Sequence, residues 1–272
     1  MENILGLSPS GGELDVPELA AALTRIYREE MIPDHVSEFE SWGFERDDLK
    51  EKSEAFFEFL VLAAYDRQPF TFKGGYEAVW SEDPGSVRRL LESRRLLKTS
   101  TIKTLSEDEL RGHLTALVFG PWRLSHDRKK QGSGGTDYAR TIRELLEHTE
   151  ELRSLCTSAV SEWDVASLHY RFDNVHGIGP TIAAKLVKYL LREIRLSEVD
   201  PANFQRIVQH LVQDFENSTL LRETGTNSPQ TLGRRIQAEV SKLGEPLAIE
   251  ALFYVDKEYE GKLPERFRGT AT

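Results

Sequence analysis

The sequence predicts a mostly α-helical fold, and three observations support this prediction. Apolar residues recur at helical spacing in ELAAALTRIYREEM and TDYARTIRELLEHTEELRSLC, and SEAFFEFLVLAAYD is apolar nearly all round. Sustained alternation of apolar and polar residues, the pattern of strands, is scarce. The breaks between the periodic segments are polar and rich in glycine, as in SPSGG, KKQGSGGT and TGTNSP. A succession of helices is therefore expected, while EALFYVDKEY stays open between a short strand and a buried helix.

Length and composition limit the class of protein. The chain of 272 residues can bury a sizeable core, and 39% of its residues are hydrophobic. No apolar run approaches the ~20 residues that cross a membrane, and no basic segment followed by an apolar one opens the sequence. A cytoplasmic protein without a membrane partner is expected. Cys156 is the only cysteine, which excludes an intramolecular disulfide and a cysteine-ligated cluster or zinc ribbon.

Charge is distributed unevenly along the chain. The formal net charge is −10, and residues 1–60 hold 15 of the 45 acidic and 5 of the 35 basic side chains. The remaining 212 residues are therefore balanced, with 30 of each. Within this part, residues 88–103 hold six basic side chains against Glu92. Such a local basic surface can attract phosphate, although ordinary solvated helix faces are the alternative.

A stretch with two glycines separates two predicted helices. In NVHGIGPTIAAKLVKYLLREI, residues 174–194, one helix is expected to end near Asn174 and the next to begin at Pro180. Glycine permits positive φ in a tight turn, and proline is tolerated in the first turn of a helix. Such a hairpin presents backbone amides and a helix N-terminus, which can bind phosphate. A plain tight connection between helices is the alternative.

An aspartate follows this hairpin in LSEVDPANFQRIVQHLVQDF. Asp200 precedes Pro201, which is the pattern of a helix N-cap followed by the first helical residue. A capping carboxylate is held rigidly and stays ionised, so it can face developing positive charge. Asp200 is therefore interpreted as a helix cap and, at the same time, as the candidate catalytic group.

The hairpin, the spacer helix and the aspartate together resemble the helix-hairpin-helix DNA glycosylases, over roughly residues 50–215. The expected fold is two-lobed and mostly α-helical, with an acidic segment at 1–50, a glycosylase-like core at 51–225 and an extension at 226–272. The resemblance implies that Asp200 is catalytic.

Candidate contact residues follow from the same resemblance. FFEFLVLAAYDRQPF is similar to the early buried helix of the family, which places Gln68 at the glutamine that enters the DNA stack. The other implied DNA-binding residues are His176, Gly177, Ile178, Gly179, Thr181 and Lys185. Base-stacking candidates, each with a core position as the alternative, are Tyr65, Trp122 and Tyr76.

The resemblance also bears on ions and on the nucleophile. Main-chain carbonyls of Asp173, Val175 and Ile178 could hold a monovalent cation, whereas no other metal site and no cofactor are predicted. Bifunctional members of the family carry a lysine two positions after the second glycine, where this chain has Thr181. Water rather than a protein amine is therefore the implied nucleophile. The Pro201-Ala202 pair replaces the Thr-His or Val-His of many members, so one phosphate contact is missing.

The expected function is that of a monofunctional DNA base N-glycosylase. Its substrate would be duplex DNA in which a damaged or modified base is flipped out of the helix. The expected role is DNA repair or phage defence. Asp200 would stabilise oxocarbenium character at the sugar while water attacks. One alternative is a nucleoside or nucleotide N-glycosidase of nucleobase salvage on the same fold. Another is a non-catalytic helix-hairpin-helix module that binds DNA. A monomer is expected.

Overall fold

The computed structural model describes residues 15–67, 70, 77–126, 136–199, 215–223 and 228–267. These residues are mostly helical, which confirms the predicted fold class at this level. The chain divides into two compact units, Glu38–Val199 and the combination of Met1–Ser37 with Asp200–Thr272. The unit bounds do not coincide with the expected segment bounds at residues 50 and 225, and the three segments stay a prediction.

Fourteen α-helices are present in the described part of the chain. In chain order they are α1 Val16–Ile26, α2 Ile32–Ser41, α3 Arg46–Glu51, α4 Ser53–Tyr65, α5 Glu77–Trp80, α6 Val87–Ser93, α7 Thr99–Thr104, α8 Glu107–Ala116, α9 Tyr138–Ser158, α10 Glu162–Asp173, α11 Pro180–Lys188, α12 Thr219–Glu223, α13 Pro229–Lys242 and α14 Ala251–Glu258. The segment EALFYVDKEY, residues 250–259, is open between strand and helix in the sequence and contains the whole of α14.

Other local structure is short. Two π-helical turns, Tyr27–Met31 and Tyr189–Glu193, directly continue α1 and α11. In the described part of the chain, the named strands are β1 Val118–Phe119 and β2 Trp122–Arg123, which pair antiparallel. Turns of 3₁₀ helix lie at Phe215–Asn217, Pro246–Glu250 and Glu265–Phe267.

Helix α4 is the central element of the Glu38–Val199 unit. Its sequence SEAFFEFLVLAAY is apolar on nearly every side, and a helix of this kind must be covered on all sides. It packs against α3, α5, α6, α9 and α11. Phe56, Phe57 and Phe59 are fully buried, as is the run from Leu60 to Leu62. The core of this unit therefore forms around α4.

An aromatic cluster closes one side of α4. The ring centroids of Phe39 and Phe44 lie 5.6 and 5.5 Å from that of Phe59, and Trp80 lies 5.1 Å from the same ring. Trp42 stacks on Trp80 at 5.9 Å with an interplanar angle of 9°. Tilted and edge-to-face pairs of this kind are favourable beyond the area that they bury.

Arg88 belongs to the core beneath this cluster. Its Nη2 lies 2.7 Å from Glu58 Oε1 and its guanidinium carbon lies 5.0 Å from the centre of the Phe44 ring. Burial raises the pKa of the Glu58 carboxyl although Arg88 opposes this shift. Arg88 is 7% exposed, so it does not contribute to the basic surface that residues 88–103 were expected to form.

The Met1–Ser37 and Asp200–Thr272 unit is organised by α1 and α13. These helices pack on each other and on the Pro246–Glu250 turn. Asp15 caps α1, because its Oδ1 accepts a hydrogen bond of 3.1 Å from the Glu18 amide. Gly233 lies inside α13 directly against the buried ring of Phe215. Among the helices of both described units, none combines the length and the apolar character needed to cross a membrane.

Gly233→Ala is expected to lower the free energy of unfolding by about 1–3 kcal/mol, because a Cβ at this position would overlap the Phe215 ring. The matched control is Gly112→Ala in α8, where no atom lies within 4 Å of the added Cβ. Helix propensity alone predicts that the control gains about 0.5–1 kcal/mol. Urea unfolding measures both variants, and equal stabilisation of the two would contradict the packing of Gly233.

Candidate functional site

The turn between α10 and α11, residues 174–179, is called the 174–179 turn below. α10 ends at Asp173, and the N–H of its C-cap residue Asn174 donates to Tyr170 O at 3.2 Å. Gly177 has a φ of +76°, in the left-handed region. Gly179 is extended and caps α11, which begins with Pro180 at the first helical position. The helices on either side therefore end and begin where the glycine and proline pattern indicates.

The two glycines of the turn meet different constraints. A Cβ on Gly177 would overlap Thr136 Cγ2 and would lie 2.9 Å from Thr141 Oγ1. Gly179 is exposed, and a Cβ there would have no atom within 4 Å. Gly177 is thus required by both conformation and packing, whereas Gly179 presents an open backbone.

Side chains from the end of α4 and from α9 hold the turn. Arg67 Nη1 donates to Gly177 O at 2.9 Å, and Thr141 Oγ1 donates to His176 O at 2.8 Å. The His176 amide donates to Glu144 Oε2 at 2.6 Å. Burial would raise the pKa of the Glu144 carboxyl, but this amide and Arg140 lower it below its usual value. The turn is therefore held at the carbonyls of His176 and Gly177, and the His176 amide is already bound to a carboxylate.

Two further backbone amides lie at the start of α11, in Gly179 and Thr181. Neither Gly179 N–H nor Thr181 N–H has a hydrogen-bond partner in the described part of the chain. Both residues are exposed. Because the first amides of a helix have no partner inside the helix, they can bind an anion from outside. His176 is half-buried, and its Nε2 atom is buried without a hydrogen bond among the described residues.

Lys185 is bound to a buried carboxylate that the sequence analysis did not single out. Its Nζ lies 3.1 Å from both Oδ2 and the main-chain O of Asp66. Tyr189 OH donates to Asp66 Oδ2 at 3.1 Å, and Asp66 is 1% exposed. The signal in the sequence is an aspartate placed directly after the apolar run FFEFLVLAAY. In this structure the ammonium group of Lys185 forms an ion pair with Asp66. A DNA contact by Lys185 stays a prediction.

Lys188 does not present its charge to solvent. Its Nζ lies 3.7 Å from Glu193 Oε1, and the two side chains are 4% and 0% exposed. It also lies over the Tyr189 ring, 5.1 Å from the centroid. Lys188 is the last residue of α11, and Glu193 is the last residue of the π-helical turn that continues this helix. Lys188 therefore adds no exposed positive charge after the 174–179 turn.

The aromatic candidates are placed differently from one another. Tyr65 is fully buried, its hydroxyl donates to Leu124 O at 2.6 Å, and it stacks on Tyr138 at 4.1 Å. Burial raises the pKa of its phenol well above the usual value. Tyr65 thus occupies the core position that was its alternative, because its ring and hydroxyl are both used inside the protein. Trp122 is half-buried in β2, opposite Phe119.

Three candidates lie outside the described residues, namely Gln68, Tyr76 and Asp200. Of the carbonyls expected to hold a monovalent cation, that of Val175 accepts a hydrogen bond of 2.9 Å from Ile178 N–H. The cation site at Asp173, Val175 and Ile178 stays a prediction. No cluster of three or more histidine, cysteine, aspartate or glutamate side chains suited to a metal occurs in the described ranges.

Comparisons with known proteins do not assign the site. No protein-family model, no curated protein and no solved structure matches this chain. Any functional conclusion therefore depends on the residues of the 174–179 turn, on the groups that hold it, and on the aspartate at position 200 in the sequence.

Gly177→Ala is expected to lower the free energy of unfolding by about 2–4 kcal/mol. Alanine is strained at the left-handed φ of this position, and its Cβ would overlap Thr136. Gly179→Ala is the matched control and should change it by less than about 0.5 kcal/mol. Denaturant unfolding gives both values. Equal effects at the two glycines would contradict the packing of the turn.

Lys185→Met is expected to destabilise the fold by about 2 kcal/mol or more, because it leaves the Asp66 carboxylate buried without its cation. Asp66→Asn combined with Lys185→Met should recover part of this loss. Lys242→Met, which breaks the exposed pair with Glu239, is the control and should cost less than about 1 kcal/mol. Thermal and urea unfolding of the three variants test the pair, and a loss at Lys185 no larger than at Lys242 would refute it.

Proposed function

We propose that this chain is a monofunctional DNA base N-glycosylase. The observation that supports the proposal best is the 174–179 turn, which is held by Arg67, Thr141 and Glu144. The amides of Gly179, the last residue of the turn, and of Thr181, in the first turn of α11, are without partners among the described residues. Amides at a helix N-terminus suit a DNA phosphate, since they bind the anion without a charged side chain.

The reaction assigned to Asp200 is hydrolysis of the N-glycosidic bond. As the bond from C1′ to the base nitrogen breaks, its electron pair leaves with the base, which then takes up a proton. The sugar develops positive charge, which a fixed carboxylate stabilises. Water forms the new bond to C1′ and loses a proton, so the products are a free base and an abasic sugar.

The side chains along α11 favour water as the nucleophile. Thr181 offers an exposed hydroxyl, not an amine, at the position where a bifunctional enzyme would carry lysine. Lys185, one turn further, has its ammonium group within 3.1 Å of two oxygens of Asp66. An amine held in this way is a poor nucleophile, because its attack would have to break the ion pair.

A second candidate is a nucleotide N-glycosidase, and the buried cations favour it. Arg88 is paired with Glu58 and Lys188 with Glu193, so both lie inside the protein. Glu144 also brings a negative charge to the turn. Such a surface suits a substrate with one or two phosphates better than a long duplex. The exposed cations that remain in the basic segment are Arg89, Arg94, Arg95, Lys98 and Lys103.

Asp200→Asn is expected to reduce base release by about 10²-fold or more, because the amide cannot stabilise the developing charge. Asparagine caps a helix as well as aspartate does, so the fold and the duplex affinity should be retained. Asp15→Asn changes an aspartate that only caps α1 and should leave the rate unchanged. Mass spectrometry of bases released from natural and modified DNA, with circular dichroism for the fold, gives the readout.

The products and the salt dependence distinguish the candidates. Duplex DNA should keep an intact abasic site that is cut only after alkali, and log K should fall with log[salt] by about 0.9 per phosphate contact. A covalent adduct trapped by borohydride would contradict the monofunctional reaction. Salt-independent hydrolysis of a free nucleotide without duplex binding would select the second candidate. Duplex binding without release of any base would leave a non-catalytic binding module.

A further inference from the structure

One side of α10 carries two aromatic residues that the fold leaves in solvent. Trp163 is 84% exposed and Tyr170 is 64% exposed. Aromatic side chains of this size usually bury ~150–250 Å² each, so their exposure is costly unless a partner covers them. Both residues lie on the same helix, within the well-packed Glu38–Val199 unit.

The two rings form the ends of a groove with a floor of small residues. Trp163, Ala166, Ser167 and Tyr170 recur at intervals of three and four residues, which places them on one face of the helix. Seven residues of helix separate the two aromatic positions by ~10.5 Å along the axis. Together with Asp164 these residues line a concavity of about 420 Å³, which is called the α10 groove below.

The remaining faces of α10 already have their partners. Val165, Leu168 and Phe172 are fully buried, and the helix packs on α9 and α11. The capping box of Ser161 and Asp164 satisfies its N-terminus. The α10 groove is therefore not needed to complete the core or the helix ends of this unit.

The charges around the groove are mainly negative. α10 carries the carboxylates of Glu162, Asp164 and Asp173 against the single guanidinium of Arg171, whose Nη2 lies 3.1 Å from Glu151 Oε1. Hydrogen bonds from Ser161 lower the pKa of the Asp164 carboxyl, so it stays ionised at neutral pH. A phosphate-bearing ligand would be repelled here, whereas a cation is attracted by the carboxylates and by the faces of the rings.

We propose that the α10 groove is the docking site for a segment of a partner protein in which arginine or lysine alternates with aliphatic residues. One cationic side chain of the partner lies between the rings of Trp163 and Tyr170, with its charge toward Asp164. Its aliphatic stem and the neighbouring aliphatic residue cover Ala166 and the ring faces. Two contributions then favour binding, namely cation–π attraction and the burial of two aromatic rings. Tryptophan and tyrosine are among the residue types that dominate the binding energy of protein interfaces.

The probe for this site is the peptide acetyl-Arg-Leu-Arg-Leu-Arg-amide, titrated into the full chain by isothermal calorimetry. Trp163→Ala and Tyr170→Ala should each weaken its binding by about tenfold. Val118→Ala removes an exposed apolar side chain of β1 and should change the affinity by less than about twofold. None of these substitutions alters the net charge of −10, so unspecific attraction of a polycation would stay the same in all of them.

Three outcomes would overturn the proposal. The first is an equal affinity of the peptide for the wild-type chain and both aromatic variants. The second is binding of acetyl-Glu-Leu-Glu-Leu-Glu-amide as tight as that of the basic peptide. The third is groove-dependent binding of an eight-residue oligothymidylate in place of the peptide, which would mean that the rings stack on bases. Circular dichroism of each variant ensures that a lost fold is not mistaken for a lost site.

Discussion

The burial of α4 is the constraint on which the Glu38–Val199 unit depends. A helix that is apolar on nearly every side gains stability only when other helices surround it, and α3, α5, α6, α9 and α11 do so. Its last residues then lie inside the unit, where charged groups need partners. Asp66 and Arg67 directly follow α4, so the burial of this helix brings a carboxylate to Lys185 and a guanidinium to Gly177. The position of the 174–179 turn is thus a consequence of how α4 is covered.

The same packing explains why the charges of the sequence are poor guides to the surface. Arg88 and Lys188 each lie beside a carboxylate that the fold buries with them, so both cations are used internally. Burying an ion pair costs desolvation of both partners, and good geometry only offsets this cost. Each pair therefore removes one positive charge from the surface of the protein.

Local pattern was sufficient for the helices and insufficient for the contacts. Helical periodicity and the glycine and proline signals located α9, the end of α10 and the start of α11, because those signals act over a few residues. The ambiguous α14 needed its tertiary neighbours, since a short apolar run fits either a strand or a helix. For the candidate site, the sequence indicated a turn at Gly177 and Gly179 but not that only Gly177 is packed. That difference arises from Thr136 and Thr141, which are distant in the sequence.

In the proposed function, backbone amides and not side-chain cations bind the phosphate at this turn, so the proposal is compatible with the net charge of −10. The amides of Gly179 and Thr181 carry partial positive charge that does not titrate. The His176 amide of the same turn already donates a charge-assisted hydrogen bond of 2.6 Å to the Glu144 carboxylate. A phosphate bound at Gly179 and Thr181, as proposed, would be repelled by the carboxylate of Glu144 at the same turn. Two amides can orient one phosphate, so most of the affinity for the rest of the proposed substrate would have to come from other surfaces.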